Sequence, residues 1–274
     1  MLLEQLIVLA IIQGITEFLP VSSSGHLVLL PRLTGWNDQG QLIDVAVHVG
    51  SLLAVMLYFW RDVARLLNGA LTIVTLRWND DARLLMLLVV ATVPFILAGV
   101  ALLGSGYYDD YTVWSRSAQT VAWANIVFAL LLWAADARAR TTRGMGDLGY
   151  GDAAVLGVAQ VFAIIPGVSR SGVTMTAGRA MALNRPDAAR FAMLMSIPTI
   201  LVSGAAATLQ LLDEGAAAAR SDALIAGALS CVAALVAIWA MMALLKRMTM
   251  LPFVIYRLVL GAVLLAMIYS GGLV

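Results

Sequence analysis

Apolar runs and polar breaks alternate along the chain and leave six stretches of near-bilayer length, at 42–60, 84–104, 118–135, 188–212, 223–245 and 251–269. A helix needs about 20 apolar residues to cross roughly 30 Å of hydrocarbon, and each stretch approaches that length. Two shorter apolar runs, 2–12 and 153–165, each lead into Pro, Gly and a serine cluster. These predict half-helices that turn back, since irregular backbone at membrane depth is tolerated only where protein or a polar cavity covers it. The predicted fold class is an all-α integral membrane protein of about six transmembrane helices plus two re-entrant helical hairpins.

The two hairpins are related to each other. At an offset of 147 residues, 8–25 aligns without a gap with 155–172, with seven identities in eighteen positions: Val8, Leu9, Gln13, Val21, Ser22, Ser24 and Gly25. The apolar matches carry little weight in such a chain. Gln13 with Gln160, and the run Ser22 to Gly25 with the run Ser169 to Gly172, are polar coincidences at fixed spacing. They predict an internal repeat within a single polytopic domain over 1–274. The first copy is about 1–135 with its hairpin at 2–30, and the second about 150–274 with its hairpin at 153–176. Three full spans separate the hairpins, so the second enters from the opposite face, as in inverted-topology repeats, and the polar tips meet near the midplane.

Composition points to lipid as the solvent: 62% of the residues are hydrophobic and 12% charged, about half the charge of a soluble domain. A formal charge of +1 gives no basic excess for a nucleic-acid partner, so any anion recognition is local. The single cysteine, Cys231, lies in an apolar run, excludes an internal disulfide and reads as core filling. The start MLLEQLIVLA carries Glu4, no basic segment and no small-residue cleavage pattern, so it is expected to remain in the mature chain. Loops 61–83, 136–152, 179–190 and 246–250 hold twelve Lys or Arg and seven acids, which makes them cytoplasmic by the positive-inside rule. The opposite loops carry Arg32, Arg116 and Arg220 against Asp38, Asp109, Asp110, Asp213, Glu214 and Asp222, placing both termini and the mouth of the first hairpin outside. Tyr58, Phe59 and Trp60 read as an interfacial aromatic belt.

An ionised side chain near the bilayer centre costs roughly 2.5 to 3.5 kcal/mol on insertion scales, so Glu17, Asp44, Arg170 and Arg257 each need a partner or a function. If the hairpins meet, Glu17 and Arg170 converge beside six hydroxyls: Ser22, Ser23, Ser24, Ser169, Ser171 and Thr174. Gln13 and Glu17, four apart, share one helical face before Pro20 ends the helix. Ser22 to Ser24 are natural N-caps for the next half-helix, and Ser23 and His26, three apart, can face the same side of its first turn. A hydroxyl beside an imidazole suits nucleophilic catalysis; the alternative is that the serines only cap and His26 only bonds a carbonyl. In the second hairpin, the small residues after Pro166 and Gly167 free backbone N–H groups for an anion, and Arg170 offers a bidentate fork to phosphate. The alternative there is a structural counter-ion for Glu17. Asp44 and His48 are two ligands at most and are read as structural, as is Arg257, as a partner of a carbonyl or acid.

The run QGITEFLPVSSSGHL (13–27) together with PGVSRSGVT (166–174) closely resembles the two signature regions of the bacterial undecaprenyl-diphosphate phosphatase family of the bacitracin-resistance type. DVAVHVGSLLAV (44–55) and PFVIYRLVLG (252–261) extend the resemblance over essentially the whole chain. It implies hydrolysis of the terminal phosphate of undecaprenyl diphosphate, regenerating the monophosphate carrier for peptidoglycan and conferring bacitracin resistance. It further implies a multi-pass protein of the bacterial inner membrane with its site open to the periplasm. The family's acidic motif, Glu or Gln, three residues, then Glu, falls on Gln13 and Glu17, and the Gln option weakens a two-carboxylate metal site. Its nucleophilic serine and its histidine fall on Ser23 and His26, and its phosphate-binding arginine on Arg170, with Ser169 and Thr174 beside it.

The expected catalytic set is therefore Glu17, Ser23, His26 and Arg170, with Gln13, Ser22, Ser24, Ser169, Ser171 and Thr174 binding substrate. Ser23 attacks the phosphorus, His26 takes its proton, Glu17 orients His26 or a metal, and Arg170 with the backbone nest stabilises the phosphorane. Attack by His26, or by water that His26 activates, is the rival within this reading. A magnesium or calcium ion is the expected cofactor, with Glu17 as its one carboxylate anchor. The partners are the polyprenyl diphosphate lipid and the bilayer, with no nucleic acid; the oligomeric state is open between monomer and homodimer. A type-2 phosphatidic acid phosphatase needs a histidine downstream of the arginine motif, and His26 and His48 both precede Arg170. A polyprenyl-phosphate transporter or flippase is the alternative from a non-enzyme class.

Overall fold

The computed structural model describes residues 2–115, 117–211 and 217–271, with side chains described at all of these except 109, 203, 205–211 and 217–220. Of the loop charges used for orientation, Arg116, Asp213 and Glu214 lie outside the described residues, as do the side chains of Asp109 and Arg220. The described residues form α1 (Leu3–Thr16), α2 (Ser23–Thr34), α3 (Gln41–Tyr58), α4 (Trp60–Val74), α5 (Asp80–Gly104), α6 (Tyr108–Ser115) and α7 (Ala118–Arg138). They continue with α8 (Tyr150–Val161), α9 (Arg170–Ala180), α10 (Arg185–Leu211), α11 (Ala217–Leu245) and α12 (Leu251–Tyr269). Short 3-10 turns cover Met145–Asp147 and Phe162–Ile164. The fold is all-α, and among the described residues the sole β-type contact is an isolated bridge between Arg143 and Leu183.

Among the described residues five helices are long and apolar enough to cross a membrane: α3, α5, α7, α12 and the 221–245 part of α11. The sixth expected span, 188–212, covers most of α10, whose side chains are described only in part, and its last residue lies outside the described residues. Leu97 and Leu103 on α5, Val232, Val236 and Trp239 on α11 and Val259 on α12 all point outward. In water this belt would cost about 25 cal/mol per Å² of apolar surface; in lipid it costs nothing, and the chain is a multi-pass membrane protein.

The 61–83 segment, read as a loop, is mostly helix. Leu67, Leu71 and Val74 form an exposed apolar stripe on α4, while Asp62 and Gly69 are buried on its other side. Charges scattered through an amphipathic helix masked its 3.6-residue period. Asp62 accepts from Arg190 of α10 at 2.8 and 2.5 Å, which ties α4 to the bundle. Phe59 is likewise not part of an interfacial belt: it is buried in the main core, whereas Trp60 is exposed beneath the Arg61 guanidinium, 5.3 Å from its ring centre.

Two helical hairpins, α1 with α2 and α8 with α9, position the polar segments. α1 packs on α11, and α8 packs in the corresponding way on α5. The spans of α3, α5 and α7 lie between the two hairpins in sequence. At the far end of α9, buried Arg179 and Arg185 of α10 meet Asp136 of α7 at 2.7 and 2.8 Å, and Asp136 also accepts from Met250 N at 3.0 Å. One carboxylate thus joins α7, α9, α10 and the start of α12.

Candidate active site

Each hairpin turns on a serine. Ser22 and Ser169, aligned by the 147-residue offset, both take left-handed backbone at φ 73° and 70°. A non-glycine residue rarely adopts this conformation, and it persists only where surrounding contacts over-determine it. Both hydroxyls cap the helix that follows: Ser22 Oγ accepts from Gly25 N at 3.3 Å, and Ser169 Oγ from Gly172 N at 3.0 Å.

The turns are braced against each other. Gly167 N donates to Ser22 Oγ at 3.0 Å, and Ser171 Oγ donates to Leu19 O at 3.0 Å. Arg257 of α12 reaches both turns, donating to Pro20 O at 3.4 Å, Gly167 O at 2.9 Å and Val168 O at 2.8 Å. Gly167 has φ +95°, and a Cβ there would sit 2.7 Å from Val121 O. Conformation and close approach both require glycine at that point.

This scaffold places Glu17 at the junction. One carboxylate oxygen accepts from Arg170 at 2.6 Å; the other accepts from Ser23 Oγ at 2.5 Å and from Gln13 Nε2 at 2.8 Å. His48 Nε2 of α3 lies 3.6 Å from that second oxygen. A cavity of about 150 Å³ is lined by Glu17, Ser22, Ser23, Ser24, His48, Ser169, Arg170 and Thr199, with Phe95, Ala163 and Ile200 as its apolar wall. A hydroxyl held on a carboxylate beside a guanidinium can deliver a nucleophile to a bound anion.

The structure therefore brings together Glu17, Ser22, Ser23, Ser24, Ser169 and Arg170 at one cavity. It does not bring His26 to Ser23. The His26 ring bonds Ser22 O through Nδ1 at 2.7 Å and the Tyr256 hydroxyl through Nε2 at 2.6 Å, and stacks on the Tyr256 ring. The left-handed Ser22 carbonyl captures one ring nitrogen and α12 captures the other. Ser171 and Thr174 are also turned from the cavity: Ser171 braces Leu19, and Thr174 Oγ1 donates to Arg170 O at 2.9 Å. Gln13 is fully buried behind Glu17.

His48 was read from sequence as structural, yet it lines the cavity. Asp44, its supposed partner, has its carboxylate on Gln39 Nε2 at 2.8 Å, and its backbone carbonyl meets His48 Nδ1 at 2.7 Å. Among the described residues no three His, Cys, Asp or Glu side chains converge to hold a metal, and both Glu17 oxygens already accept hydrogen bonds. The residues present do not form a resident cation cage.

Comparison with known proteins bears on this site. Residues 6–263 match a family described as bacitracin resistance protein BacA. The chain is 51% identical over 271 residues, 98% of its length and 100% of the relative's, to an undecaprenyl-diphosphatase of Ruegeria pomeroyi. It is 48% identical to one of Jannaschia sp. and 45% identical to one of Alteromonas mediterranea, in each case over 98% of the chain and 100% of the relative.

Proposed function

Because the chain belongs to the bacitracin resistance protein BacA family, we propose that it is a membrane phosphatase that hydrolyses undecaprenyl diphosphate to undecaprenyl phosphate and inorganic phosphate. Relatives that bear that name align over nearly the whole chain. The observation that carries the reading is the Ser23 hydroxyl held on Glu17 at 2.5 Å while Arg170 neutralises the other carboxylate oxygen. A carrier that bound the headgroup without cleaving it would need the cation but not the oriented hydroxyl.

In the proposed reaction, Ser23 Oγ attacks the terminal phosphorus, its proton passes to the Glu17 carboxylate, and the bond to the bridging oxygen breaks. Arg170 shifts between Glu17 and the developing phosphorane charge, joined by backbone N–H groups of the second turn. Water then cleaves the phosphoseryl bond. Ser22, Ser24 and Ser169 face the same space and bind phosphate oxygens, while Ser171 and Thr174, with Ser22 as well, hold the turns. An apolar groove of about 460 Å³ between Trp123, Val127 and Phe128 of α7 and Ile165 and Val168 of the second turn suits the prenyl chain. Magnesium or calcium enters as the counter-ion of the substrate's diphosphate, and no step is routed through a protein-bound ion. The charge asymmetry of the loops supports a bacterial inner-membrane location with the cavity opening to the periplasm.

The test is phosphate release from undecaprenyl or farnesyl diphosphate by the detergent-purified protein. Ser23→Ala is expected to lose at least about 10³-fold in turnover while remaining monodisperse. Binding of the diphosphate by the wild-type protein without release would defeat the phosphatase reading in favour of a transporter. Near-full turnover by Ser23→Ala would defeat the serine mechanism.

A further inference from the structure

Resting on the phosphatase reading, we infer that His48, rather than His26, is the imidazole that serves the reaction, by receiving through Glu17 the proton that leaves Ser23.

The hydrogen-bond partners decide between the two rings. A carbonyl only accepts, so the 2.7 Å contact of His26 Nδ1 with Ser22 O places a proton on Nδ1. The remaining lone pair, on Nε2, then accepts from the Tyr256 hydroxyl at 2.6 Å. Both His26 nitrogens are thus committed, and neither faces the cavity. The same logic gives a different result at His48. Its Nδ1 carries the proton donated to Asp44 O at 2.7 Å, so Nε2 bears the free lone pair. That nitrogen points at the Glu17 oxygen that also holds Ser23, 3.6 Å away. The gap is beyond a formed hydrogen bond, but such contacts commonly tighten only when substrate is bound.

The surroundings leave this role to His48. Glu17, at the C-terminal end of α1, and Arg170 of α9 are the other charged groups lining the cavity. Of the other helices packed on α3, α10 presents the hydroxyl of Thr199, and α11 presents Ser230, which donates to Val47 O, next to the half-buried Cys231. On α3 itself the Asp44 carboxylate is held by Gln39. Glu17 paired with Arg170 is a poor final acceptor, because a proton left on it weakens that ion pair. Passing the proton to His48 restores the carboxylate. In the first step Oγ–P forms, P–O to the leaving lipid phosphate breaks, and the Ser23 proton ends on His48 Nε2. In the second step one water hydrogen stays on the released phosphate, the other returns to Ser23, and His48 gives its proton to solvent. One proton is released per turnover.

His48 acts through Glu17 and is a positioning residue, so the test separates chemistry from folding. Purified wild type, His48→Gln and His48→Ala are assayed for phosphate release, with KM and kcat separated and imidazole titrated into each. The expected result is a kcat loss of about 10²-fold in both variants, with KM within a few-fold of wild type. Imidazole should restore turnover saturably in His48→Ala and not in the bulkier His48→Gln. Wild-type kcat in His48→Gln would overturn the inference. So would imidazole rescue of His26→Ala without rescue of His48→Ala, which would return the role to His26. Absence of phosphate release by the wild type would instead count against the phosphatase reading on which the inference rests.

Discussion

Replacing Arg257 tests whether the two turns work as one unit. The side chain is fully buried, and its partners are carbonyls of both hairpins: Pro20, Gly167 and Val168. Hydrogen bonds from a charged donor contribute about 1.5–3 kcal/mol each, and two of the three are well formed at 2.9 and 2.8 Å. Against these roughly 3–6 kcal/mol stands the cost of burying a guanidinium, itself several kcal/mol, and its Nε finds no hydrogen-bond partner among the described residues. The terms nearly cancel, so Arg257→Leu is expected to move the thermal midpoint by only a few degrees. The effect on catalysis is larger. The turns carry Ser23 and Arg170 to opposite oxygens of Glu17, and a misplacement of about 1 Å costs on the order of 10²-fold. We therefore expect kcat to fall about 10²-fold in Arg257→Leu, with Arg257→Lys in between because an ammonium lacks the fork that spans Gly167 and Val168. The assay is phosphate release alongside thermal unfolding in the same detergent. Unchanged kcat in Arg257→Leu would refute the reasoning. A midpoint that collapses in step with activity, and recovers with it in Arg257→Lys, would show Arg257 to be only a global staple.

Two further outcomes follow from the same geometry. Gly167→Ala combines a left-handed φ with a Cβ 2.7 Å from Val121 O, so it should destabilise by about 2 kcal/mol or more and lower the unfolding midpoint; an unchanged midpoint would mean that the turn relaxes freely. Chelation of divalent cations should raise KM for the diphosphate more than it lowers kcat, since the ion is expected to travel with the substrate. Loss of kcat at saturating substrate would instead indicate a protein-held ion.

The spans were legible because apolar length is a direct reading of bilayer thickness, and the hairpins because Pro20, Pro166 and the serine clusters interrupt apolar runs at a spacing that repeats. Less visible was whatever depends on a partner from another helix. A spacing of three residues correctly put Ser23 and His26 on one helical turn. It said nothing of Tyr256, 230 residues away, which fixes the ring elsewhere. His48 looked structural because its obvious companion was Asp44, four residues off; its significant neighbour, Glu17, lies on a different helix. The two 3-residue and 4-residue spacings were real, but each was outcompeted by a tertiary contact.

The 147-residue correspondence between the two hairpins bears on the single carboxylate of the site. The offset of 147 carries Ser22 onto Ser169 and Ser23 onto Arg170, and both cap serines share the same unusual backbone. Ser23 and Arg170 are thus equivalent positions, each just after its cap, and they meet Glu17 from opposite sides, on Oε2 and Oε1. Glu17 itself maps onto Ile164, an apolar residue whose carbonyl accepts from Tyr111. An acid at position 164 would add a second carboxylate on the other hairpin. With Ile164, the guanidinium has one carboxylate partner and can turn from it toward a phosphate. The backbones of the two turns are alike at Ser22 and Ser169, where the turns meet, while the aligned side chains differ at Ser23 against Arg170 and at Glu17 against Ile164, the positions that carry the chemistry.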